Sequence, residues 1–442
     1  MTRKHLFTRL ALAMLGWSCV AAGYPLYGSE ERGILRLQQA RLAHEGIIPG
    51  RQKPPGELLS LEAVDLRLLH ARQLELPAPD PGFNAELRSL LGADVEGLSL
   101  AILDLSDPDM PRYAGYHDTV IFNPGSIGKL VAAAALFQAL ADAWPDNLEK
   151  RLSILRDTRV VANELVVGDE HKVRLWDPES RTLTRRALQI GDSATLWNWL
   201  DWMLSASSNA AASVCMQQTL LLAHFGRQYP VTDAVAQQFL KETPRQELSP
   251  LLQHSLQGTL QRSGIKTAQF NQGSFFTAAG KTQVPGGGNR STSRELVNFL
   301  LRLEQGRIVD EFSSRELKRL LYVTEQRSRY AASPALQEAA VYYKSGSLYA
   351  CTTAVDGACP PFRGDRINIM NSVAIVESPA GEPRYYYLVS LQTNRLRQDA
   401  ARFHWALATR LHALVAARAA DRNHKATYAE EREEGELQKD SR

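Results

Sequence analysis

Apolar positions along this chain fall into blocks of differing period. Leu98 to Leu105 (LSLAILDL) is a dense apolar run of strand length. Asp107-Pro108-Asp109 follows as a turn, and Arg112 to Phe122 can return as a second strand. Asn123-Pro124-Gly125 stops that strand, and a long helix containing KLVAAAALFQALADAW begins at Ser126. That helix is apolar on nearly every face, the mark of a helix at the centre of a domain. Pro145 ends it. Residues 146–195 are polar and irregular, with short strands expected at Val160-Val161 and Val173 to Leu175. Leu196 to Met216 is helical again, and Asp233 to Leu260 reads as further helix interrupted at Pro244 and Pro250. Residues 262–290 have loop composition. Thr292 with Glu295, and Ser313 with Glu316, are capping boxes that start two more helices. β-rich runs return at Ala340 to Tyr343, Ile367 to Val376 and Tyr385 to Leu391, the last two joined by Gly381-Glu382-Pro383. Phe403 to Ala417 is an amphipathic closing helix, and the charged stretch from Tyr428 to Arg442 is expected to be disordered.

The order is two strands, a helical block, three strands and a helix. The simplest packing is an α+β fold: one antiparallel β-sheet flanked by helices, with an inserted all-α subdomain at about 123–330 and a cleft between the two. That domain spans 83–420, followed by a charged tail over 421–442. Residues 24–82 form an extension expected to be helical, from the periodicity of Gly28 to Ala43 and of Leu58 to Leu76. A break at Gln52-Lys53-Pro54-Pro55-Gly56 separates these, and Pro77, Pro79 and Pro81 form a linker. No internal repeat is visible.

Charge and cysteines narrow the setting. The 51 basic and 48 acidic residues nearly balance, at +3, so the chain lacks the basic footprint of a nucleic-acid binder. Residues 1–23 have the layout of a signal peptide or an uncleaved anchor. Arg3, Lys4, His5 and Arg9 precede an apolar run of 13 residues, Leu10 to Ala22, with small residues for cleavage near Ala22. That run is shorter than the roughly 20 residues a spanning helix needs. The expected location is therefore periplasmic or extracellular, with a membrane tether through the N-terminus as the second reading. Cys19 lies in this leader. Cys215 sits in an apolar helical run and reads as a small buried hydrophobe. Cys351 and Cys359 flank a short loop, and are either a disulfide of an oxidising compartment or two free thiols.

Three short motifs carry the candidate chemistry. In Ser126-Ile127-Gly128-Lys129, a Ser and a Lys at i and i+3 share one helix face. A serine hydroxyl needs a base, and a lysine serves when burial lowers its pKa. The helix N-terminus adds positive potential where an alkoxide forms. Ser263-Gly264-Ile265-Lys266 repeats the pattern in a loop-like stretch without a long helix behind it, and reads as coincidence. In Ser207-Ser208-Asn209, the outer two residues can point a hydroxyl and an amide into one cleft, for proton relay and for holding a carbonyl or the lysine. In Lys344-Ser345-Gly346, Gly346 lets a substrate backbone lie along a strand edge. Lys344 and Ser345 can bind a carboxylate, and the N–H of Ser347 can donate to an oxyanion. Taken alone, the second and third motifs are also what packed helices and strand ends show. In this order and setting, the three together are specific.

PGSIGKL, MLSASSNAAA and KSGS resemble the motifs of the serine β-lactamase and penicillin-binding-protein superfamily. STSREL resembles the segment before the third motif, and SVAIVESP with YYYLVSLQT resembles the last hairpin. The resemblance runs from about Leu98 to Ala417. It implies an acyl-enzyme at Ser126, with Lys129 as proton acceptor and Ser207 and Asn209 in relay and binding. Lys344, Ser345 and Gly346 would form the inner strand, and no metal or organic cofactor is needed. The implied substrates are β-lactams or D-alanyl peptides. A D-Ala-D-Ala carboxypeptidase, an esterase and a penicillin-binding sensor or scaffold without turnover are the alternatives. Two departures stand out. The spacings of 81 residues from Ser126 to Ser207, and 137 from Ser207 to Lys344, imply insertions. Neither Glu242 nor Glu247 fits the deacylating glutamate of class A β-lactamases.

Overall fold

The computed structural model describes residues 32–93, 95–325, 327–352 and 359–440, the last stretch by backbone alone from 422. The leader expected at 1–23 and residues 353–358 of the loop between Cys351 and Cys359 lie outside the described residues. In chain order the elements are α1 (Arg36–His44), α2 (Pro81–Leu91), β1 (Leu98–Asp104), β2 (Arg112–Tyr116), α3 (Lys129–Ala143), α4 (Leu148–Asp157), β3 (Arg159–Val161), β4 (Lys172–Asp177), β5 (Thr182–Ala187) and β6 (Ser193–Thr195). Next come α5 (Leu196–Leu204), α6 (Asn209–Phe225), α7 (Asp233–Glu242), α8 (Arg245–Arg262), β7 (Phe270–Asn271), α9 (Ala278–Gln283), β8 (Arg290–Ser291), α10 (Ser293–Glu304) and α11 (Glu311–Tyr322). The chain closes with β9 (Ala340–Ala350), β10 (Ile367–Ser378), β11 (Tyr385–Asn394) and α12 (Ala400–Asp440).

Five strands form one antiparallel sheet in the order β2-β1-β11-β10-β9. The early and late strand groups meet where β1 pairs with β11, Leu98 opposite Thr393 and Asp104 opposite Tyr387. Successive side chains point to opposite faces. Leu100, Ile102, Val389 and Leu391 pack with Phe83 and Leu87 of α2 and Leu411 of α12. Ala101, Leu103, Ile375 and Leu388 pack toward the helical block. Covering both faces buries all of β1, which explains a continuous apolar run in place of alternation. Within the block, α3 is buried along nearly its whole length. Each large apolar side chain buried this way contributes about 1.5–3 kcal/mol. The result is the α+β architecture expected: sheet, flanking helices, inserted helical subdomain and intervening cleft.

Several local expectations are corrected. Leu58 to Leu76 is not a helix; it contains a single 3₁₀ turn at Leu69–Ala71, and another, Pro55–Glu57, precedes it. Leu61, Val64 and Leu68 have helical spacing but bury against the domain along an irregular path, with the Leu68 N–H donating to Glu304 O. The extension is therefore mostly non-helical, α1 excepted. Helix α8 runs through Pro250, which sits in its second turn. The missing N–H there removes one hydrogen bond, while Leu248, Leu252, Leu256 and Leu260 bury one stripe. Residues 146–195 hold the helix α4 and the β4–β5 hairpin as well as the short strands expected. Strand β2 stops at Tyr116, six residues short. The backbone of the charged tail continues α12 to Asp440, in keeping with its Ala, Glu, Lys, Arg and Gln content.

The extension is tied to the domain by ion pairs to buried carboxylates. Arg36 grips Asp201 of α5 at 2.5 and 2.6 Å, Arg32 meets Glu316 at 3.0 Å, and Arg67 meets Glu377 at 2.9 Å.

Candidate active site

Ser126 sits in a single 3₁₀ turn, Gly125–Gly128, that runs directly into α3. At three residues per turn, positions i and i+3 eclipse, which stacks Ser126 on Lys129. Lys129 Nζ lies 2.8 Å from Ser126 Oγ and donates to Asn209 Oδ1 at 2.7 Å. The Phe276 ring lies 4.5 Å from the same nitrogen. Lys129 is fully buried. Burial pulls its amine down to about 7 against the opposing charge of Asp169. At neutral pH, a large share of Lys129 is therefore unprotonated and able to take the hydroxyl proton.

The link between α5 and α6 brings in the second group. Ser207 adopts φ +63°, a left-handed conformation that turns the chain sharply before α6. Lys344 Nζ donates to Ser207 Oγ at 2.8 Å and to Ser345 O at 2.8 Å. Burial, then the neighbouring charges of Lys129 and Arg329, hold Lys344 well below the usual lysine range. Lys344 is only 1% exposed. It braces Ser207 through this hydrogen bond; the sequence suggested a carboxylate ligand.

β9 is the edge strand of the sheet and lies against the Ser126 turn. A Cβ on Gly346 would come within 2.5 Å of Pro124 O and 2.8 Å of Ser126 N. Only glycine permits this approach. Gly125, at φ +52°, supplies the matching bend. The backbone of Ser347 is thereby brought beside the nucleophile, its N within 3.4 Å of where a Gly125 Cβ would lie.

Ser126, Ser207, Asn209, Ser345, Gly346 and Ser347 line a cleft of about 300 Å³ with Asn123, Gln272, Phe275, Phe276, Lys281, Asn289 and Leu348, and the buried Lys129 and Lys344 reach it through Ser126 and Ser207. The structure thus brings together all eight candidate residues: Ser126, Lys129, Ser207, Asn209, Lys344, Ser345, Gly346 and Ser347. Ser263 does not join them; its Oγ accepts from the Val309 N–H, so that copy of the motif is structural. Cys215 is buried, away from the cleft wall, and burial pushes its thiol far up. Cys351 and Cys359 are bonded to each other.

Three contributors escaped the sequence. Arg329 precedes β9 at φ +57°. Its guanidinium donates to Ser345 Oγ at 2.8 Å and to Ser347 Oγ at 3.4 Å, and lies 4.6 Å from the Phe362 ring. It is the cation presented at this end of the cleft. Asp169 receives the Ser208 hydroxyl at 2.8 Å and the Ala210 N–H at 2.9 Å, fastening the Ser207–Asn209 segment. Burial would raise this carboxyl, but hydrogen bonds from His171, Ala210 and Ser208 win and hold it at about 2. His171, bonded to Asp169, lines the cleft. Among the described residues, no carboxylate lines the cleft. An Asp and a His two residues apart in a polar stretch was the one available signal.

An antiparallel sheet, an inserted helical subdomain and a serine beside a buried lysine at their junction define an acyl-transfer scaffold of the serine-hydrolase kind. The Beta-lactamase enzyme family model matches residues 82–413, and the chain belongs to that family. Among solved structures, it is similar to PBP-A, seen as an acyl-enzyme complex of a mutant with penicillin G. Identity is 14% over 79% of this chain and 100% of that one, with TM-score 0.48. It is also similar to β-lactamases from Sphaerobacter thermophilus (14%, covering 75% and 95%, TM-score 0.47) and Desulfarculus baarsii (18%, covering 76% and 98%, TM-score 0.47). No curated protein matches the chain.

Proposed function

We propose that this chain is an exported serine hydrolase that forms an acyl-enzyme at Ser126 with β-lactam or D-alanyl-peptide amides. The carrying observation is Ser126 Oγ placed 2.8 Å from a buried lysine amine whose pKa is near 7. Neutral Lys129 takes the hydroxyl proton as Oγ attacks the carbonyl carbon. The N–H groups of Ser126 and Ser347 receive the oxyanion. Ser207, braced by Lys344, passes a proton to the leaving nitrogen. A carboxylate on the substrate is received by Arg329 with Ser345 and Ser347. Export is supported by the leader-like residues 1–23 and by the paired Cys351 and Cys359.

Intact-mass spectrometry after mixing with benzylpenicillin, beside Ser126→Ala, tests this. The expected result is an adduct of one penicilloyl group that is lost in the variant. A decaying adduct defines a β-lactamase, and a persistent one defines a carboxypeptidase-like enzyme or a sensor. No adduct on the wild-type chain, with benzylpenicillin or a D-alanyl-D-alanine peptide thioester, would sink the reading.

A further inference from the structure

We infer that His171 is the base that hydrolyses the Ser126 acyl-enzyme, an inference that rests on the acyl-enzyme reading above. Release of an acyl group from serine requires a base that activates water. Among the described residues the cleft wall offers no carboxylate for this; its charged or titratable side chains are Lys281, Arg329 and His171. Arg329 does not deprotonate at working pH. Lys281 is exposed on the short helix α9 and has no bonded partner among the described residues.

His171 is different, because it is held. Its Nδ1 lies 2.6 Å from Asp169 Oδ1. Asp169 is ionised and so accepts only. The bond therefore fixes the proton on Nδ1 and leaves Nε2 as the basic nitrogen. Among the described residues, no hydrogen bond engages Nε2. The imidazole is 40% exposed and lines the same cleft as Ser126, Ser207 and Asn209, while the Asp169 side chain is 2% exposed. Asp169 Oδ2 at the same time holds Ser208 and the Ala210 N–H. One carboxylate thus fixes the imidazole relative to the Ser207–Asn209 segment. A base oriented by a buried acid is the arrangement nucleophilic enzymes use to move protons.

The step balances without any further reactant. A water oxygen bonds to the acyl carbon while His171 Nε2 takes one water proton. The tetrahedral intermediate then collapses, the bond from carbon to Ser126 Oγ breaks, and the imidazolium proton returns to Oγ. The products are the free acid and the resting serine.

The test separates acylation from decay. The wild-type chain, His171→Gln and His171→Phe are mixed with benzylpenicillin. Adduct formation and loss are followed by quenched-flow intact mass, with a melting curve on each variant. The expected result is acylation within about threefold of wild type and adduct decay slowed about 100-fold in both variants. Unchanged decay would overturn the inference and leave Lys129 as the base for both half-reactions. An equal fall in formation and decay would also overturn it, making His171 a wall of the cleft. So would a wild-type adduct that never decays. Absence of any wild-type adduct is the separate failure of the acyl-enzyme reading itself.

Discussion

Lys129 and Lys318 are both fully buried lysines, and their surroundings could hardly differ more. Lys318 lies between Glu304 at 2.6 Å and Glu377 at 2.7 Å, and also donates to Asp65 O. Glu377, despite its burial, is kept below the usual carboxylate range by Lys318 and Arg67. Lys129 instead meets a hydroxyl, an amide oxygen and an aromatic ring. Burial without a carboxylate partner drives its amine toward neutrality. Charge compensation, and not burial, separates a structural lysine from a reactive one.

The largest effects should come from exchanging each lysine for methionine. Lys129→Met is expected to lower acylation by about 1,000-fold or more while raising stability. Lys318→Met is expected to shift stability the other way and to leave the chemistry alone. It strands Glu304 and Glu377 and costs about 3–5 kcal/mol, with acylation per folded molecule unchanged. Stopped-flow acylation and urea melts on the two variants check both signs, and two shifts of the same sign would erase the distinction.

The same contrast gives a pH dependence. The Lys129 amine is lowered on folding, so the unfolded chain binds the extra proton between about pH 7 and the ordinary lysine value near 10.4. Its contribution to stability is therefore least favourable below pH 7 and improves as pH rises through that window. Acylation should rise with pH and level off above about 7, where the amine is neutral. A wild-type profile flat from pH 5 to 9 would contradict this, and Lys129→Met should lose the inflection.

Gly346→Ala sets the cleft against its scaffold in a second way. Its methyl would press on Pro124 O and Ser126 N and displace β9 from the nucleophile. Acylation should fall about 100-fold, since misplacement of reacting groups by about 1 Å costs this much. Thr292→Ala gives the smallest effect. It removes the side chain that accepts from the Glu295 N–H at the start of α10. The cost should be about 1 kcal/mol of stability, with acylation per folded molecule unchanged.

The parts of the site legible in sequence are those whose chemistry is local. Ser126 and Lys129 are one 3₁₀ turn apart, Ser207 and Asn209 flank one helix start, and Lys344 to Ser347 occupy one strand. Arg329 and the Asp169–His171 pair were not legible, because the Ser345 and Ser208 hydroxyls they meet lie across loops that no period reveals. The Ser208 hydroxyl that meets Asp169 is 39 residues away. Strand β5, the partner of the β4 strand expected at Val173 to Leu175, escaped because Thr182, Thr184 and Arg185 lie on an exposed ribbon with little apolar alternation to read. Leu61, Val64 and Leu68 misled in the opposite direction. Their spacing fits a helix, yet their burial is supplied by α10 and α11 rather than by a helix of their own.

The ion pairs between the extension and the domain's buried carboxylates bear on how far the structural unit reaches. The family match begins at residue 82, and a chain cut there keeps every catalytic candidate. It would also lose Arg36, Arg32 and Arg67, and leave Asp201, Glu316 and Glu377 inside without those counterions. Asp201 belongs to α5, the helix that leads directly into Ser207. The span the family model matches is therefore shorter than the span these ion pairs hold together, which reaches back at least to Arg32.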